Sequence, residues 1–221
     1  MTQGHLSNKL SASPLMMQIF MIKLEQVAEI RAGHPFRGSI NEDLSGNGCV
    51  IQIRDQSIDG NIAWESLTKT EIKGRKEPEW LKEDDVVFSA RGNRNLASVV
   101  PLLETPTVCS PHYFQIRTFK EAPILPEFLA WQLNQATVQR YFEQSAEGSV
   151  QSSIRRAVLE KTPLSVPSIK KQKQILNMIK AADREKEIYQ KLIDLRRSEV
   201  NTVAKHILTQ SKNKRPDNAT H

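Results

Sequence analysis

The order of apolar and polar positions divides the chain into a strand-rich part and a helical part. From Met21 to Thr118, short apolar runs alternate with clusters of Gly, Asn and Asp. Such alternation is typical of short strands joined by turns. The runs predicted as strands are Cys49–Arg54, Val86–Ser89, Ala97–Leu103 and Tyr113–Thr118, preceded by a helical or strand segment from Ile22 to Ile30.

Two helical stretches follow the strands. Apolar residues from Pro126 to Phe142 lie near helical spacing, and Pro126 suits the first turn of a helix. Residues 154–161 are predicted as a short helix that ends before Pro163 and Pro167.

A third helix is predicted to be much longer, because the chain contains no Gly or Pro between Pro167 and Pro216. Its apolar residues recur at intervals of three, four and their sums, which makes a stripe along one face. Lys186 and Glu199 interrupt that stripe, so a regular two-stranded coiled coil is not expected. The stripe must pack on its own domain or on a second chain, and its predicted contact residues are Ile175, Ile179, Ile188, Leu192, Leu195, Val203 and Ile207.

These patterns predict an α+β protein with one sheet-based domain and one long C-terminal helix. The predicted divisions are a flexible extension over residues 1–20, a domain over 21–169, a long helix over 170–212 and a disordered tail over 213–221.

Composition excludes several classes of protein. The 221 residues are 38% hydrophobic and 25% charged, which is enough to bury a core. Two cysteines, Cys49 and Cys109, are not a disulfide framework, so a reducing cytoplasmic compartment is expected. The apolar stretch Leu15–Leu24 is half the roughly twenty residues that a membrane span requires, and no small-residue cleavage site follows it.

The net charge of +6 is concentrated at one end of the chain. Residues 1–169 hold 18 Lys and Arg against 19 Asp and Glu, whereas residues 170–221 hold 13 against 6. A basic segment of this kind either contacts phosphates or is the solvated face of a helix, and composition alone favours the solvated face.

Enzyme motifs are scarce. The chain has no phosphate-binding lysine loop, no dinucleotide-binding glycine motif and no histidine pair at metal-ligand spacing, so neither a cofactor nor a metal is predicted. One arrangement keeps an enzyme hypothesis open: Asp59, Glu71 and Lys73 are the residue types of a Mg²⁺-dependent nuclease. Asp59 lies in an ordinary Asp-Gly-Asn turn, which favours the structural interpretation.

Three polar groups favour a nucleic-acid-binding surface instead. Arginine and asparagine side chains read guanine and adenine edges, and hydroxyls, amides and lysines contact phosphates. Solvated loops are the alternative interpretation of each group. The first group is Arg91, Asn93, Arg94 and Asn95; the second is Ser149, Gln151, Ser152 and Arg155; the third is Lys73, Arg75 and Lys76.

Six segments resemble the specificity subunits of type I restriction–modification systems, and the likeness extends from about Leu24 to Leu208. "LEQVAEIRAGHPF" (24–36) is similar to the opening of a target-recognition domain, and "CVIQIRD" (49–55) to its first core strand. "LKEDDVVFSARG" (81–92) resembles the family's central strand motif, with Asp84 where the family usually has Gly. The remaining matches are "ILPEFLAWQLN" (124–134), "GSVQSSI" (148–154) and "TPLSVPSIKKQKQI" (162–175), the last retaining Gln172 and Ile175 with Lys171 in place of a usual acidic residue.

The resemblance implies a target-recognition domain with a curved, largely antiparallel sheet. It implies a non-catalytic protein that reads a half-site in double-stranded DNA, recruits a methyltransferase subunit and, through the complex, a restriction subunit. Full-length members carry two recognition domains and two antiparallel long helices, whereas this chain carries one of each. A homodimer, or pairing with another half-subunit, is therefore expected, and a subunit that only binds protein is the remaining alternative.

Overall fold

The computed structural model describes residues 20–74, 77–91, 94–145 and 153–212. It separates into two compact units, one reaching to Gln172 and the other beginning at Lys173. The first unit contains every described strand, and the second consists of helix.

The described chain contains nine strands and four α-helices, together with three short 3-10 helices. The strands are β1 (Phe20–Lys23), β2 (Ala28–Ala32), β3 (Gly48–Ile51), β4 (Thr68–Thr70), β5 (Val86–Ser89), β6 (Ala97–Val99), β7 (Thr107–Cys109), β8 (Tyr113–Thr118) and β9 (Pro163–Val166). The helices are α1 (Pro126–Leu133), α2 (Ala136–Ser145), α3 (Arg156–Glu160) and α4 (Ile169–Lys212). The prediction of an α+β fold with a long last helix is confirmed, as are the bounds of β5 and β8.

The strands form three small sheets rather than one. The orders are β2-β8-β5-β6 in the four-stranded sheet, β4-β3-β7 in the three-stranded sheet, and β1-β9 in the two-stranded sheet. Of the strand pairs described, only β3 with β7 is parallel. The expectation of largely antiparallel pairing holds, and the pairing is distributed over these three sheets.

The main core lies where α1 and α2 cover the four-stranded sheet. All four residues of β5 are buried, as expected for a central strand, and Phe88 packs its ring 5.2 Å from that of Phe142 on α2. Leu129 and Leu133 of α1 are fully buried. Burial of such side chains contributes on the order of 1.5–3 kcal/mol each, so this layer fixes the end of β5 from which the candidate site begins.

The chain from Pro126 to Phe142 forms two helices, not the single stretch predicted. The break comes at Asn134, whose carboxamide binds the backbone of Ala97 on the edge strand β6, accepting from its N–H at 2.8 Å and donating to its carbonyl at 2.9 Å. A side chain that bonds to another strand competes with the helical backbone.

Three other element predictions need correction. The strand predicted from Cys49 to Arg54 ends at Ile51, because the Asp55 carboxylate accepts from the N–H of Gln52 and turns the chain. The strand predicted from Ala97 to Leu103 ends at Val99. Sequence patterns also missed β4, β7 and β9, each of four residues or fewer.

The turn before β5 forms although Asp84 replaces the family's usual glycine. Asp84 has φ +67, the only positive φ of a non-glycine residue in the described chain. Its N–H donates to the carbonyl of Val100, and the Asp85 N–H donates to that of Lys82. Asp is among the residues that tolerate this backbone region, at some cost in free energy.

Gln172 holds the first turn of α4 to the sheet-based unit. Its carboxamide is fully buried, accepts from the N–H of Leu125 at 2.9 Å, and donates to the carbonyls of Pro123 and Pro167. This residue is one of those that carry the family resemblance, and its three bonds give it a structural reason to be present.

Helix α4 considered alone has no cover on its later turns. Every residue described from Lys180 to Thr209 is exposed. No helix in the described parts of the chain combines the length and apolar character needed to cross a membrane.

Candidate nucleic-acid interface

The loop between β5 and β6 is built on Ser89, the last residue of β5. The Ser89 hydroxyl donates to the carbonyl of Arg94 at 3.0 Å and accepts from the N–H of Leu96 at 2.9 Å. The buried Asn95 side chain donates to the Ser89 carbonyl at 2.9 Å, and Gln139 of α2 donates to the Asn95 carbonyl. The described ends of the loop are therefore fixed by hydrogen bonds to the fold.

This arrangement separates the residues that the sequence grouped in the loop. Arg91 and Arg94 are exposed, whereas Asn95 is buried and its carboxamide is engaged within the protein. The expectation that Asn95 reads a base is inconsistent with that placement, because its amide already donates to backbone. Asn93 lies outside the described residues.

Arg91 and Arg94 line one cleft of about 580 Å³. The Arg94 guanidinium donates to the carbonyl of Ile58 at 3.2 Å, which joins the β5–β6 loop to the segment after β3. Arg91 makes no hydrogen bond or ion pair with any described residue. Its guanidinium therefore keeps its donors available for a ligand.

The opposite wall of the cleft is the segment from Ile53 to Ile58, which Tyr113 supports from below. The Tyr113 hydroxyl lies 3.4 Å from both the Gln52 carbonyl and Gln56 Oε1, and its one proton can be donated to either. Burial raises the pKa of the Tyr113 phenol, so it remains a donor at physiological pH. Gln56 in turn donates to the hydroxyl of Ser98 at 2.9 Å.

Sequence reasoning missed an arginine and a histidine that line a second cleft beside the first. Arg54 and His112 border a second cleft of about 430 Å³ that shares Ile53 with the first. Arg54 Nη2 donates to Thr68 Oγ1 at 2.8 Å, and most of the side chain is exposed. Residues 54–61 form a mostly polar run after a strand, as the loop that contains Arg91 does. The same pattern would therefore have identified Arg54 as a candidate contact.

The structure brings Arg155 close to the β5–β6 loop. The N–H of Ile154 donates to the carbonyl of Ala90 at 2.9 Å, and these residues immediately precede Arg155 and Arg91 in the sequence. Arg155 is exposed at the start of α3. The other members of its predicted group, Ser149, Gln151 and Ser152, lie outside the described residues.

Lys73 is exposed on a different part of the unit, after β4. Its carbonyl accepts from His34 Nε2 at 3.1 Å. Arg75 and Lys76 fall in a gap between described segments.

The nuclease alternative receives no support from the structure. Within the described parts of the chain, no group of three or more His, Cys, Asp and Glu residues is placed to hold a metal ion. Asp59 belongs to the turn that contacts β6 through Gly60, whereas Glu71 and Lys73 follow β4 in another sheet.

The predicted contact residues of α4 are exposed from Ile188 onwards, while Ile175 and Ile179 have intermediate exposure. Further large apolar side chains are exposed on the same helix. These additional residues are Ile169, Met178, Tyr189, Ile193, Val200 and Leu208.

Comparison with known proteins identifies the class of domain that this fold and loop arrangement define. The sequence model of the type I restriction modification DNA specificity domain matches residues 18–195. The chain belongs to this family. No curated protein matches it.

Solved structures share the fold at low sequence identity. The chain is similar to the HsdS subunit from Thermoanaerobacter tengcongensis, with TM-score 0.55 and 14% identity over 79% of this chain and 40% of that one. It is similar to a chain from a study of complex assembly and conformational transition of the type I R-M system, with TM-score 0.54 and 16% identity over 89% and 44%. It is also similar to the type I restriction-modification S subunit from M. genitalium, with TM-score 0.51 and 14% identity over 84% and 45%. The chain thus spans less than half the length of each of these three proteins.

Proposed function

We propose that this chain is a non-catalytic, sequence-specific DNA-binding subunit of a type I restriction–modification complex. The observation that carries the proposal is the DNA specificity domain match over residues 18–195, combined with the cleft that Arg91 and Arg94 line. The chain would read a half-site of double-stranded DNA in the cytoplasm. Methyl transfer and cleavage would be performed by methyltransferase and restriction subunits.

The exposed cations of the sheet-based unit divide into two roles. Arg94 is oriented by its bond to Ile58, and Arg91 has free donors, so both suit bidentate contact with guanine in the major groove. Arg155, Arg54 and Lys73 are exposed cations around or beyond the cleft, and we assign them to phosphates. Base contacts would determine which sequence is bound, and phosphate contacts would determine how salt-dependent binding is.

The test is duplex binding by the 221-residue chain, with a selected sequence compared with random DNA. Arg91→Ala or Arg94→Ala should weaken specific binding by about 1–3 kcal/mol and relax the preference at one position. Lys120→Ala is the matched control, because Lys120 is exposed beyond the far end of β8. Equal losses on selected and random DNA would show that the arginines contact only phosphates, and no sequence preference in the wild type would overturn the proposal.

We also propose that α4 pairs with α4 of a second copy. Its 44 residues extend about 66 Å at 1.5 Å per residue, and its exposed apolar side chains have no cover within the described chain. Burying eight of them could contribute on the order of 10 kcal/mol before the costs of association. Two identical copies related by a two-fold axis would bind a split palindrome whose spacer depends on helix length.

Sedimentation at tens of micromolar tests the pairing. Replacing Ile188, Leu192 and Leu195 with Gln should convert a dimer to a monomer without changing the unfolding of the sheet-based unit. The matched control replaces Glu187, Lys191 and Ser198 on the same turns with Gln. A monomeric wild type would overturn the homodimer and favour pairing with a methyltransferase subunit or another half-subunit, while leaving DNA binding unaffected.

A further inference from the structure

We infer that Ile58 is a specificity-determining residue that contacts the 5-methyl group of a thymine in the major groove. The inference rests on the proposed DNA-binding function and goes further, because it assigns a base type to a residue that is not among the predicted contacts. It predicts that the half-site contains a T·A pair whose methyl group is read.

The first observation is the rigid turn that presents Ile58. The Ser57 N–H donates to the Asn61 carbonyl at 2.8 Å, the Gly60 N–H to the Ser57 carbonyl at 3.0 Å, and the Asn61 N–H to the Ser57 hydroxyl at 3.1 Å. Gly60 has φ +87, which glycine adopts without strain. Ile58 therefore lies at the tip of a hydrogen-bonded turn rather than in a loose loop.

The second observation is that this turn is fixed to the sheet and to Arg94. The Ser98 hydroxyl of β6 donates to the Gly60 carbonyl, and Arg94 donates to the carbonyl of Ile58 itself. The position of the Ile58 side chain is thus coupled to that of a guanidinium proposed to contact a base. Preorganised contacts of this kind lower the ordering cost of binding.

The third observation is the surroundings of the exposed side chain. Ile58 is 74% exposed, so it contributes little to the core, yet it lines the same cleft as Arg91 and Arg94. Ile53 and Leu96 add apolar surface to that cleft. The two arginines suit the polar and negatively charged groups of DNA. The apolar surface between them suits a point where the duplex presents an apolar group.

In the major groove, that apolar group is the thymine 5-methyl. The other base-edge groups there are hydrogen-bond donors and acceptors, which arginines can read but an isoleucine cannot. Contact between Ile58 and the methyl group would remove both from water. Losing one such group reduces binding by about 0.8 kcal/mol, or about four-fold in affinity.

The experiment selects duplexes from a random pool with the wild-type chain, Ile58→Ala and Leu102→Ala. Leu102 is the matched control, because it is 76% exposed but follows β6 at the other end of the β5–β6 hairpin. The wild type and Leu102→Ala should enrich the same motif, and Ile58→Ala should lose the preference for T·A at one position. Equal melting temperatures of the three proteins check that the fold is intact.

A second measurement changes the DNA and compares the wild type with Ile58→Ala. Replacing that thymine with deoxyuridine removes only the methyl group, and wild-type affinity should fall about four-fold, while Ile58→Ala should bind both duplexes equally. If the wild type enriches a motif but binds thymine and deoxyuridine duplexes alike, the inference is wrong and the proposed function stands. If Ile58→Ala weakens binding to both duplexes by the same factor, so that the preference for thymine persists, Ile58 acts as a wedge between base steps. That result also overturns the inference. If the wild type enriches no motif, the proposed function itself fails.

Discussion

Arg117 binds Asp85 through two parallel hydrogen bonds, from Nε to Oδ1 and from Nη2 to Oδ2, each of 2.7 Å. The Asp85 side chain is 2% exposed and also accepts from Gln115 Nε2 and from the N–H of Lys82. These bonds join β8 to the turn that begins β5. The hydrogen bond to Asp85 raises the pKa of Arg117, so the guanidinium remains charged.

Arg117→Gln should destabilise the sheet-based unit by about 3 kcal/mol, because it leaves a buried carboxylate without its cation. Urea unfolding followed by circular dichroism measures the change. Arg31→Gln is the control, since Arg31 pairs with Glu29 and Glu79, two exposed carboxylates, and exposed ion pairs contribute under about 1 kcal/mol each. Similar losses in the two variants would contradict a special role for the Asp85 pair.

Asp84→Gly should stabilise the protein by about 0.5–1 kcal/mol. The residue has φ +67 and an exposed side chain with no described partner, so glycine relieves backbone strain without removing a contact. Glu83→Gly, one residue earlier and without a positive φ, should be destabilising instead. Urea midpoints that shift in the same direction for both variants would refute the argument.

Asn134→Asp should reduce the free energy of unfolding by about 1–3 kcal/mol. An ionised carboxylate still accepts from the Ala97 N–H, but it leaves the Ala97 carbonyl without a donor and places negative charge beside it. Asn201→Asp, on an exposed turn of α4, controls for the added charge. An equal effect at both positions would show that the hydrogen bonds between Asn134 and the Ala97 backbone do not contribute to stability.

Stability should fall in alkaline solution partly because of Cys109. Complete burial raises the pKa of its thiol to about 12, whereas the thiol of an unfolded chain ionises near about 8.5. The Cys109 thiol therefore leaves the free energy of unfolding unchanged below about pH 8.5. As the pH rises from there towards 12, stability is lost progressively, because only the unfolded thiol releases its proton.

Unfolding free energies measured between pH 7 and pH 10 test this dependence. At pH 10 the wild type should have lost about 2 kcal/mol through this group, and Cys109→Ala should show a shallower decline. Burial also raises the pKa of Cys49, but Lys69 opposes the shift, so Cys49→Ala should change the slope less. Parallel pH curves for the wild type and Cys109→Ala would contradict the prediction.

Local sequence patterns were sufficient to predict the elements that are defined by residues close together in the sequence. β5 and β8 were predicted with their observed bounds, because β5 is a short run of buried residues and β8 is rich in aromatic and β-branched residues. The long helix followed from the absence of Gly and Pro and from the spacing of Ile188, Leu192 and Leu195. Family membership followed from the order of six short segments, none of which was sufficient alone.

Tertiary structure decided what depends on contacts between residues distant in sequence. β9 forms because Leu164 and Val166 are buried in a strand paired with β1, more than 140 positions earlier, and a four-residue run around Pro163 gives no local indication of that pairing. The same reason explains the break at Asn134, which depends on Ala97 across the unit.

The candidate interface shows this division most clearly. The sequence by itself placed Arg91, Arg94 and Asn95 in one polar loop, since adjacency along the chain is all that it records. Only the fold shows that Asn95 is buried while Arg94 reaches the carbonyl of Ile58, because burial and hydrogen bonding depend on neighbours from other segments. The grouping of Ile58 with two arginines in one cleft is therefore a property of the packed chain.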